Sequence, residues 1–201
     1  MKKIAIIDYG LGNLRSVLRG LEKAGADAFI TCDAEKISSA DGLVLPGVGA
    51  FHEGMEQLGA LKEVVACSSR DVPLLGICLG MQMLLETSEE YGLHQGLGLI
   101  PGHVKRFPHG SGLKVPHMGW NSLSICGDDN CLFEGFGKEE YVYFVHSYYA
   151  DTQPEYALTM TDYICPFASS IGKSRVFGVQ FHPEKSGATG LRLLKNFIGM
   201  A

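Results

Sequence analysis

VPLLGICLGMQMLLE, residues 72–86, is the stretch of sequence that decides the fold. Residues 72–77 form a short apolar run typical of a buried parallel strand, and the apolar residues after Cys78 have helical spacing. Gly76 and Gly80 flank Cys78 and permit the close backbone approach of a nucleophile elbow, a sharp strand-to-helix turn. A helix N-terminus favours the thiolate, so the pattern predicts a reactive cysteine. A buried structural cysteine also fits this stretch taken alone.

The first ninety residues alternate between strand-like and helix-like segments. Strands are predicted at residues 3–8, 27–31 and 41–45, and the helix after the first strand is predicted to end at Gly25. One further helix, covering residues 55–65, leads back to the Cys78 strand. This alternation predicts right-handed crossovers and a parallel sheet.

After about Gly92 the pattern changes to strand-like runs separated by Gly, Pro and Asp turns. The runs cover residues 96–107, 114–125, 140–151, 156–163 and 168–181. A last helix is predicted from about Ala188, with Leu191, Leu194 and Ile198 on its apolar face. We therefore predict an α/β fold with an open, mainly parallel sheet, flanking helices and added antiparallel strands, in one domain spanning residues 1–201.

Composition excludes several classes of function. The chain has 201 residues, of which 46% are hydrophobic and 19% charged, with a formal net charge of -5, so nucleic acid is not an expected partner. No apolar run approaches the roughly 20 residues that span a bilayer, and the N-terminus does not match a signal peptide. The six cysteines lack CxxC spacing, which favours free thiols over disulfides or a metal site. We expect a cytoplasmic protein without membrane association.

A glycine-rich motif near the N-terminus is too incomplete to predict a cofactor. Gly10 and Gly12 begin a dinucleotide-binding pattern, but Arg15 stands where the third glycine should fall. No cofactor is therefore expected.

The segment FHPE, residues 181–184, supplies candidates for the rest of a thiol triad. His182 and Glu184 point the same way in an extended backbone, and Pro183 places them at a strand end, where open α/β sheets carry active sites. His182 would take the Cys78 proton and later protonate a leaving amine, while Glu184 would hold the imidazole tautomer. A structural histidine is the alternative for His182 considered alone.

These residues resemble the triad-type (class I) glutamine amidotransferases, a flavodoxin-like family, and within it the glutaminase subunits of imidazole glycerol phosphate synthases of histidine biosynthesis. The resemblance covers essentially the whole chain. The motifs that carry it are GICLGMQ (76–82), FHPE (181–184), DYGLGNL (8–14), LPGVGAF (45–51), VPHMGWN (115–121) and FVHSY (144–148).

The resemblance implies that the Cys78 thiolate attacks the side-chain amide of L-glutamine and releases ammonia through a thioester. The oxyanion would be bound by the Leu79 N–H and by one N–H of the loop after Pro46, that of Val48 or its neighbour Gly49. Gly47 and Gly49 flank the Val48 peptide, so we expect that it can turn over under control of a partner or its ligand. The implied glutamine-binding residues are Gly47, Gln82, Glu90, His146, Ser147 and Tyr148. An ordinary polar helix residue is the alternative for Gln82, and a solvated charged face the alternative for Glu90.

The resemblance also implies a partner. Free ammonia protonates in water, so a glutaminase without an acceptor site needs a second protein that receives the ammonia directly. The partner implied is the (β/α)8-barrel cyclase subunit, in a heterodimer. Residues that match positions near that interface are Asn13, Pro116, Met118, Trp120 and Lys185. A tryptophan of the core is the alternative for Trp120.

Three other functions fit parts of the pattern. A glutaminase that feeds a different synthase is the nearest, and the segment 115–121 argues against it. A cysteine peptidase or hydrolase with the same elbow would not call for the amide of Gln82. A non-catalytic regulatory subunit would be expected to have lost a triad member, and none is lost.

Overall fold

The computed structural model describes residues 1–108, 112–127, 130–137 and 139–201. Within these residues the strands are β1 (Lys3–Ile7), β2 (Asp27–Thr31), β3 (Gly42–Gly47), β4 (Leu74–Cys78), β5 (Thr87–Ser88), β6 (His94–Gln95), β7 (His103–Arg106), β8 (His117–Ile125), β9 (Glu140–His146), β10 (Tyr148–Asp151), β11 (Ala157–Asp162), β12 (Pro166–Lys173) and β13 (Val176–Val179). The α-helices described are α1 (Leu14–Ala24), α2 (Ala34–Ser38), α3 (Phe51–Leu58), α4 (Leu61–Ser68), α5 (Leu79–Met83) and α6 (Gly187–Met200). None of the described helices is long and apolar enough to cross a membrane.

The strands form a sheet in the order β2-β1-β3-β4-β13-β12-β10-β7-β5-β6. The first five of these are mutually parallel, as the alternating pattern predicts. β12 pairs antiparallel with β13, β10 and β11, and a hairpin of β8 and β9 joins through β11. The predicted fold class, a mainly parallel sheet with helices and added antiparallel strands, is confirmed. β1, β3 and β4 are buried almost throughout because helices cover both faces of the parallel part.

The helices differ from the prediction in three places. The single helix expected over residues 55–65 is two helices, because Gly59 adopts a φ of 47° that ends α3. The short helix α2 was not predicted; Asp33 caps it by accepting hydrogen bonds from two backbone N–H groups. The expected apolar face of α6 is rotated. Its buried residues are Gly190, Leu193, Leu194 and Phe197, whereas Leu191 and Ile198 are only partly buried.

The elbow at Cys78 depends on contacts that only glycine permits. Cys78 itself has a φ of 55° and ψ of -107°, in the left-handed half of the backbone map. A Cβ on Gly76 would lie 2.7 Å from the Gly80 carbonyl oxygen, and a Cβ on Gly80 would overlap the carbonyl of Leu45 on β3. α5 therefore lies directly on the ends of β3 and β4, and this contact fixes the position of the thiol.

Replacing Gly80 with alanine should therefore destabilise the protein. We expect Gly80→Ala to lower the free energy of unfolding by about 3 kcal/mol or more, because the new methyl group meets backbone rather than a side chain that can move. Urea denaturation measures this. The matched control is Gly199→Ala in α6, where no atom of a packed neighbouring segment lies within 4 Å of the new Cβ and a small gain of about 0.5–1 kcal/mol is expected. Equal stability of the two variants would contradict this account of the elbow.

Candidate active site

The candidate site lies where the parallel strands end. Because β1, β3, β4 and β13 are parallel neighbours, their last residues and the segments that follow meet at one edge of the sheet. This edge contains Tyr9, the loop of residues 47–49, Cys78, and residues 180–184. The structure thus brings together the thiol, the proposed oxyanion loop and the proposed acid–base pair.

His182 and Glu184 form a buried pair. His182 Nδ1 lies 2.8 Å from Glu184 Oε1, and their side chains are 3% and 1% exposed. The prediction that the pair is presented by an extended backbone is wrong. β13 ends at Val179, and Pro183–Lys185 is a turn of 3-10 helix that bends the carboxylate back onto the imidazole. His182 Nε2 has no hydrogen-bond partner among the described residues, so this nitrogen is available to a thiol proton.

The turn that carries His182 is held by the backbone of Tyr143 on β9. The His182 N–H donates to the Tyr143 carbonyl at 3.0 Å, and the Tyr143 N–H donates to Ser186 Oγ at 3.0 Å. The Ser186 hydroxyl in turn donates to the His182 carbonyl at 2.7 Å. Gly190 of α6 packs so closely on the Pro183 carbonyl that a Cβ would overlap it. The position of His182 is therefore fixed by main-chain contacts on two sides.

The charges around His182 favour its protonated form. Burial lowers the pKa of His182, but the interactions of the imidazole with negatively charged Cys78 and Glu184 outweigh burial and raise the pKa to about 9. Glu184 accepts from Nδ1, which leaves Nε2 for exchange with the sulfur. This arrangement can take a proton from a thiol and keep it close to the reacting atoms.

Cys78 is buried, and a side-chain amide and a backbone carbonyl lie close to its sulfur besides His182. The side-chain amide Nε2 of Gln180 donates to Cys78 Sγ at 3.6 Å, and the thiol lies 3.9 Å from the Val145 carbonyl. No cluster of three or more His, Cys, Asp or Glu that could hold a metal occurs among the described residues. The thiol therefore lies between an amide that donates to the sulfur and a carbonyl that can accept its proton.

The loop after β3 is fixed at one end and open at the other. The Tyr9 hydroxyl donates to the Pro46 carbonyl at 2.6 Å. The pKa of Tyr9 is raised, mainly by burial and to a smaller extent by the negative charge of Cys78. Gly47 is buried, and a Cβ there would collide with the Tyr9 hydroxyl and lie 2.9 Å from the Cβ of Leu79. Val48 and Gly49 are exposed, and Gly49 has a φ of 104°, with only Glu53 Oε2 close to the position of an added Cβ, at 3.9 Å. Position 47 therefore admits only glycine, and the expected turnover of the Val48 peptide stays a prediction.

The proposed glutamine-binding residues are mostly buried, and their polar atoms are already used in part. Gln82 Nε2 donates to the Tyr148 carbonyl at 3.1 Å and to Gln180 Oε1 at 3.0 Å. Glu90 Oε2 accepts from the Phe51 N–H at the start of α3, at 2.6 Å, so Glu90 is not part of a solvated charged face. The roles of Gln82, Glu90 and Ser147 toward a substrate remain predictions.

His146 belongs to a chain of hydrogen bonds between uncharged groups. Its Nδ1 lies 2.8 Å from the Tyr148 carbonyl, and its Nε2 lies 2.9 Å from Nδ1 of His117. The amide of Asn121 reaches His117 Nε2 at 3.3 Å. Burial lowers the pKa of His146 to about 3 and that of His117 to about 4. The stabilisation that the neutral His146 and His117 give to the folded protein is therefore present above pH 6.5 and is lost as pH falls toward 4.

The residues expected to face a partner are exposed. Met118 is 62% and Trp120 57% exposed, so the alternative of a core tryptophan is wrong. The ring centroids of Trp120 and Tyr143 lie 6.1 Å apart, and Lys185 Nζ lies 6.0 Å from the centroid of the Tyr143 ring. Asn13 and Pro116 are also exposed, and Asn13 caps α1 through its side chain. The surface made by Met118, Trp120, Tyr143 and Lys185 is called the hairpin surface below.

A family model described as Glutamine amidotransferase class-I matches residues 5–200. The chain belongs to the class I glutamine amidotransferase family. Two similar relatives carry the name Imidazole glycerol phosphate synthase subunit HisH. The protein from Methanosarcina acetivorans is 54% identical over 203 residues and covers 100% of both chains. The one from Archaeoglobus fulgidus is 49% identical over 197 residues and covers 98% of both. The family predicted from the motifs is confirmed.

Two solved structures are similar to the chain in fold at much lower sequence identity. PurLQS from Thermotoga maritima aligns with a TM-score of 0.74 at 18% identity, covering 99% of both chains. A glutamine amidotransferase from the same organism aligns with a TM-score of 0.63 at 19% identity, covering 96% of this chain and 81% of that one. At these identities the likeness shows the fold alone.

Several residues of this amidotransferase site were not predicted. Gln180 contacts the thiol, Tyr9 holds the proposed oxyanion loop, Ser186 holds the His182 turn, and His117 continues the chain from His146. A polar residue inside an otherwise apolar strand end was the available signal for Gln180. The other three contacts join segments far apart in the sequence, and no local pattern indicates them.

The raised pKa of His182 predicts how stability of the amidotransferase depends on pH. The folded protein binds this proton more tightly than the unfolded chain, whose histidine pKa is about 6.5. The stabilisation is therefore complete below pH 6.5 and is lost as pH rises through about 9. In urea titrations under reducing conditions, we expect the stability difference between wild type and His182→Asn to shrink by roughly 1–3 kcal/mol between pH 6.5 and 9. A constant difference over this range would contradict the proposed charge state.

Proposed function

We propose that this amidotransferase is the glutaminase subunit of an imidazole glycerol phosphate synthase of histidine biosynthesis, acting in the cytoplasm as one domain of residues 1–201. It hydrolyses L-glutamine to glutamate and ammonia. The observation that carries the hydrolytic function is the buried His182–Glu184 pair beside Cys78 at the strand ends. The chain is 54% and 49% identical, over nearly the full length, to two proteins named HisH, which supports an imidazole glycerol phosphate synthase as the enzyme it serves.

Cys78, His182 and Glu184 perform the chemistry. His182 Nε2 takes the thiol proton, and the sulfur attacks the amide carbon of glutamine. The resulting oxyanion is bound by the Leu79 N–H, since the first N–H groups of a helix have no partner within it, and by the Val48 or Gly49 N–H. Protonated His182 then donates to the leaving ammonia. Water attacks the thioester by the same route, with Glu184 holding the imidazole throughout.

Glutamine binds beside the thiol through residues that already contact one another. Gln82 directs both protons of its amide nitrogen into the protein, which leaves its carbonyl oxygen for a donor of the substrate. Glu90 has one carboxylate oxygen bound to the Phe51 N–H and a second that suits an ammonium group. Backbone groups around Gly47, His146, Ser147 and Tyr148 complete the pocket.

The ammonia passes to a (β/α)8-barrel cyclase subunit that docks on the hairpin surface, with Asn13 and Pro116 nearby. The cyclase uses it to make imidazole glycerol phosphate and an aminoimidazole-carboxamide ribotide. Exposed aromatic and methionine side chains are enriched at the centres of interfaces, which suits Trp120 and Met118. Docking there would act next to the backbone that holds His182.

The first test is ammonia release from glutamine, by the chain alone and mixed with a cyclase subunit and its nucleotide ligand. We expect strong stimulation by the cyclase, and a loss of roughly a thousandfold or more in Cys78→Ala, because the nucleophile is removed. Cys67→Ala is the matched control, since Cys67 is a free, exposed cysteine, and it should retain full activity. Substantial glutaminase activity in Cys78→Ala would contradict the proposed nucleophile, and indifference to the cyclase would contradict the proposed synthase.

The second test concerns the hairpin surface. We expect Trp120→Ala to weaken cyclase binding roughly ten- to hundredfold in calorimetric titration, because a large aromatic contact is lost. Leu93→Ala is the control; Leu93 is a more exposed apolar side chain in the loop after β5, and its removal should leave the affinity unchanged. Equal affinities of the two variants would place the interface elsewhere.

A further inference from the structure

Gln180 is a buried polar residue that lies between β13 and the turn carrying His182. Its side chain is fully buried, and its backbone N–H donates to the Ser169 carbonyl of β12 at 2.9 Å. A buried amide needs partners for its polar atoms, because leaving them unpaired costs free energy. The partners of this amide are Cys78 and Gln82.

The hydrogen bonds around Gln180 determine which end of its amide is the oxygen and which is the nitrogen. The Tyr148 carbonyl is an acceptor and cannot donate, so the atom of Gln82 that lies 3.1 Å from it must be the amide nitrogen. The same nitrogen lies 3.0 Å from Gln180, which must therefore present its carbonyl oxygen to Gln82. The other end of the Gln180 amide, 3.6 Å from Cys78 Sγ, is consequently an NH₂ group. The Tyr148 carbonyl thus determines that a donor points at the sulfur.

We propose that Gln180 is a catalytic residue of glutamine hydrolysis, whose amide N–H stabilises the Cys78 thiolate while its carbonyl holds the Gln82 amide against the substrate. This inference rests on the proposed function of Cys78 as the nucleophile. One side chain then couples the reactivity of the thiol to the orientation of a glutamine-binding group.

An uncharged donor suits this position. A hydrogen bond to the charged form of the sulfur favours ionisation. A neutral amide does so less strongly than a cation would, and a thiolate whose pKa is too low is a poorer nucleophile. The titratable groups facing Cys78 among the described residues are His182 after β13 and Tyr9 after β1, with Glu184 behind His182. Gln180 adds a donor without adding a charge to this set.

The test uses two variants and one control in the full chain. Gln180→Glu keeps an acceptor for Gln82 but replaces the donor beside the sulfur with an oxygen. Gln180→Asn keeps the amide but withdraws it from the sulfur by one methylene group. Ser169→Ala, the control, removes a buried hydroxyl that bonds Thr159 and Thr161, and leaves the carbonyl that accepts from Gln180.

Alkylation of Cys78 by iodoacetamide is followed against pH by peptide mass spectrometry, which separates Cys78 from the other five cysteines. We expect the midpoint of alkylation to rise by about one pH unit or more in both Gln180 variants and to stay unchanged in Ser169→Ala. Glutaminase kcat, measured with the cyclase subunit, should fall roughly ten- to hundredfold in Gln180→Glu. The KM for glutamine should change less in Gln180→Glu than in Gln180→Asn.

Unchanged alkylation midpoints and kcat values in folded variants would overturn the proposal. Failure of both variants to fold, judged by circular dichroism, would overturn it in favour of a structural role. The alkylation arm does not require glutaminase activity, so it separates this proposal from the proposed function. If Cys78→Ala kept its activity, the nucleophile assignment would fail whatever Gln180 does to the thiol.

Discussion

The structure depends on the contact between α5 and the ends of β3 and β4. Gly80 lies against the Leu45 carbonyl, Gly76 lies against the turn that follows it, and Cys78 adopts a left-handed φ between them. With a larger residue at either glycine, α5 would have to move away from the sheet, and the thiol would move with it. Gly47, at the start of the loop of residues 47–49, packs on Leu79 in the same contact. The nucleophile and Leu79, one of the proposed oxyanion donors, are thus positioned by one tightly packed piece of backbone.

Electrostatics around the thiol combine one charged pair with neutral donors. Cys78 and Glu184 favour the charged form of His182, whereas burial keeps His117 and His146 neutral. A neutral histidine can donate from one nitrogen and accept at the other, so His146 connects the Tyr148 carbonyl to His117 without adding charge beside His182. A protonated histidine in that position would oppose the imidazolium that the proposed hydrolysis requires.

Much of the fold could be predicted from the sequence because local patterns determine it. Apolar runs predicted β1, β3 and β4, and Gly25 ends α1 as expected. The motifs around Cys78 and His182 indicated the residues that the structure brings together as a candidate triad. The break between α3 and α4 was missed because helical spacing continues across Gly59. The contacts of Gln180 were missed because its partner Cys78 is 102 positions away in the sequence, so only folding reveals that they meet. The 3-10 turn at Pro183 shows that two-residue spacing alone does not establish an extended backbone.

Tyr143 has two roles that use different parts of the residue. Both of its backbone polar groups hold the turn of His182, while its ring lies on the outer surface with Trp120 and Lys185. Every residue type except proline has the same backbone groups. The outer surface can therefore change in evolution, one side chain at a time, while the support of the histidine stays intact.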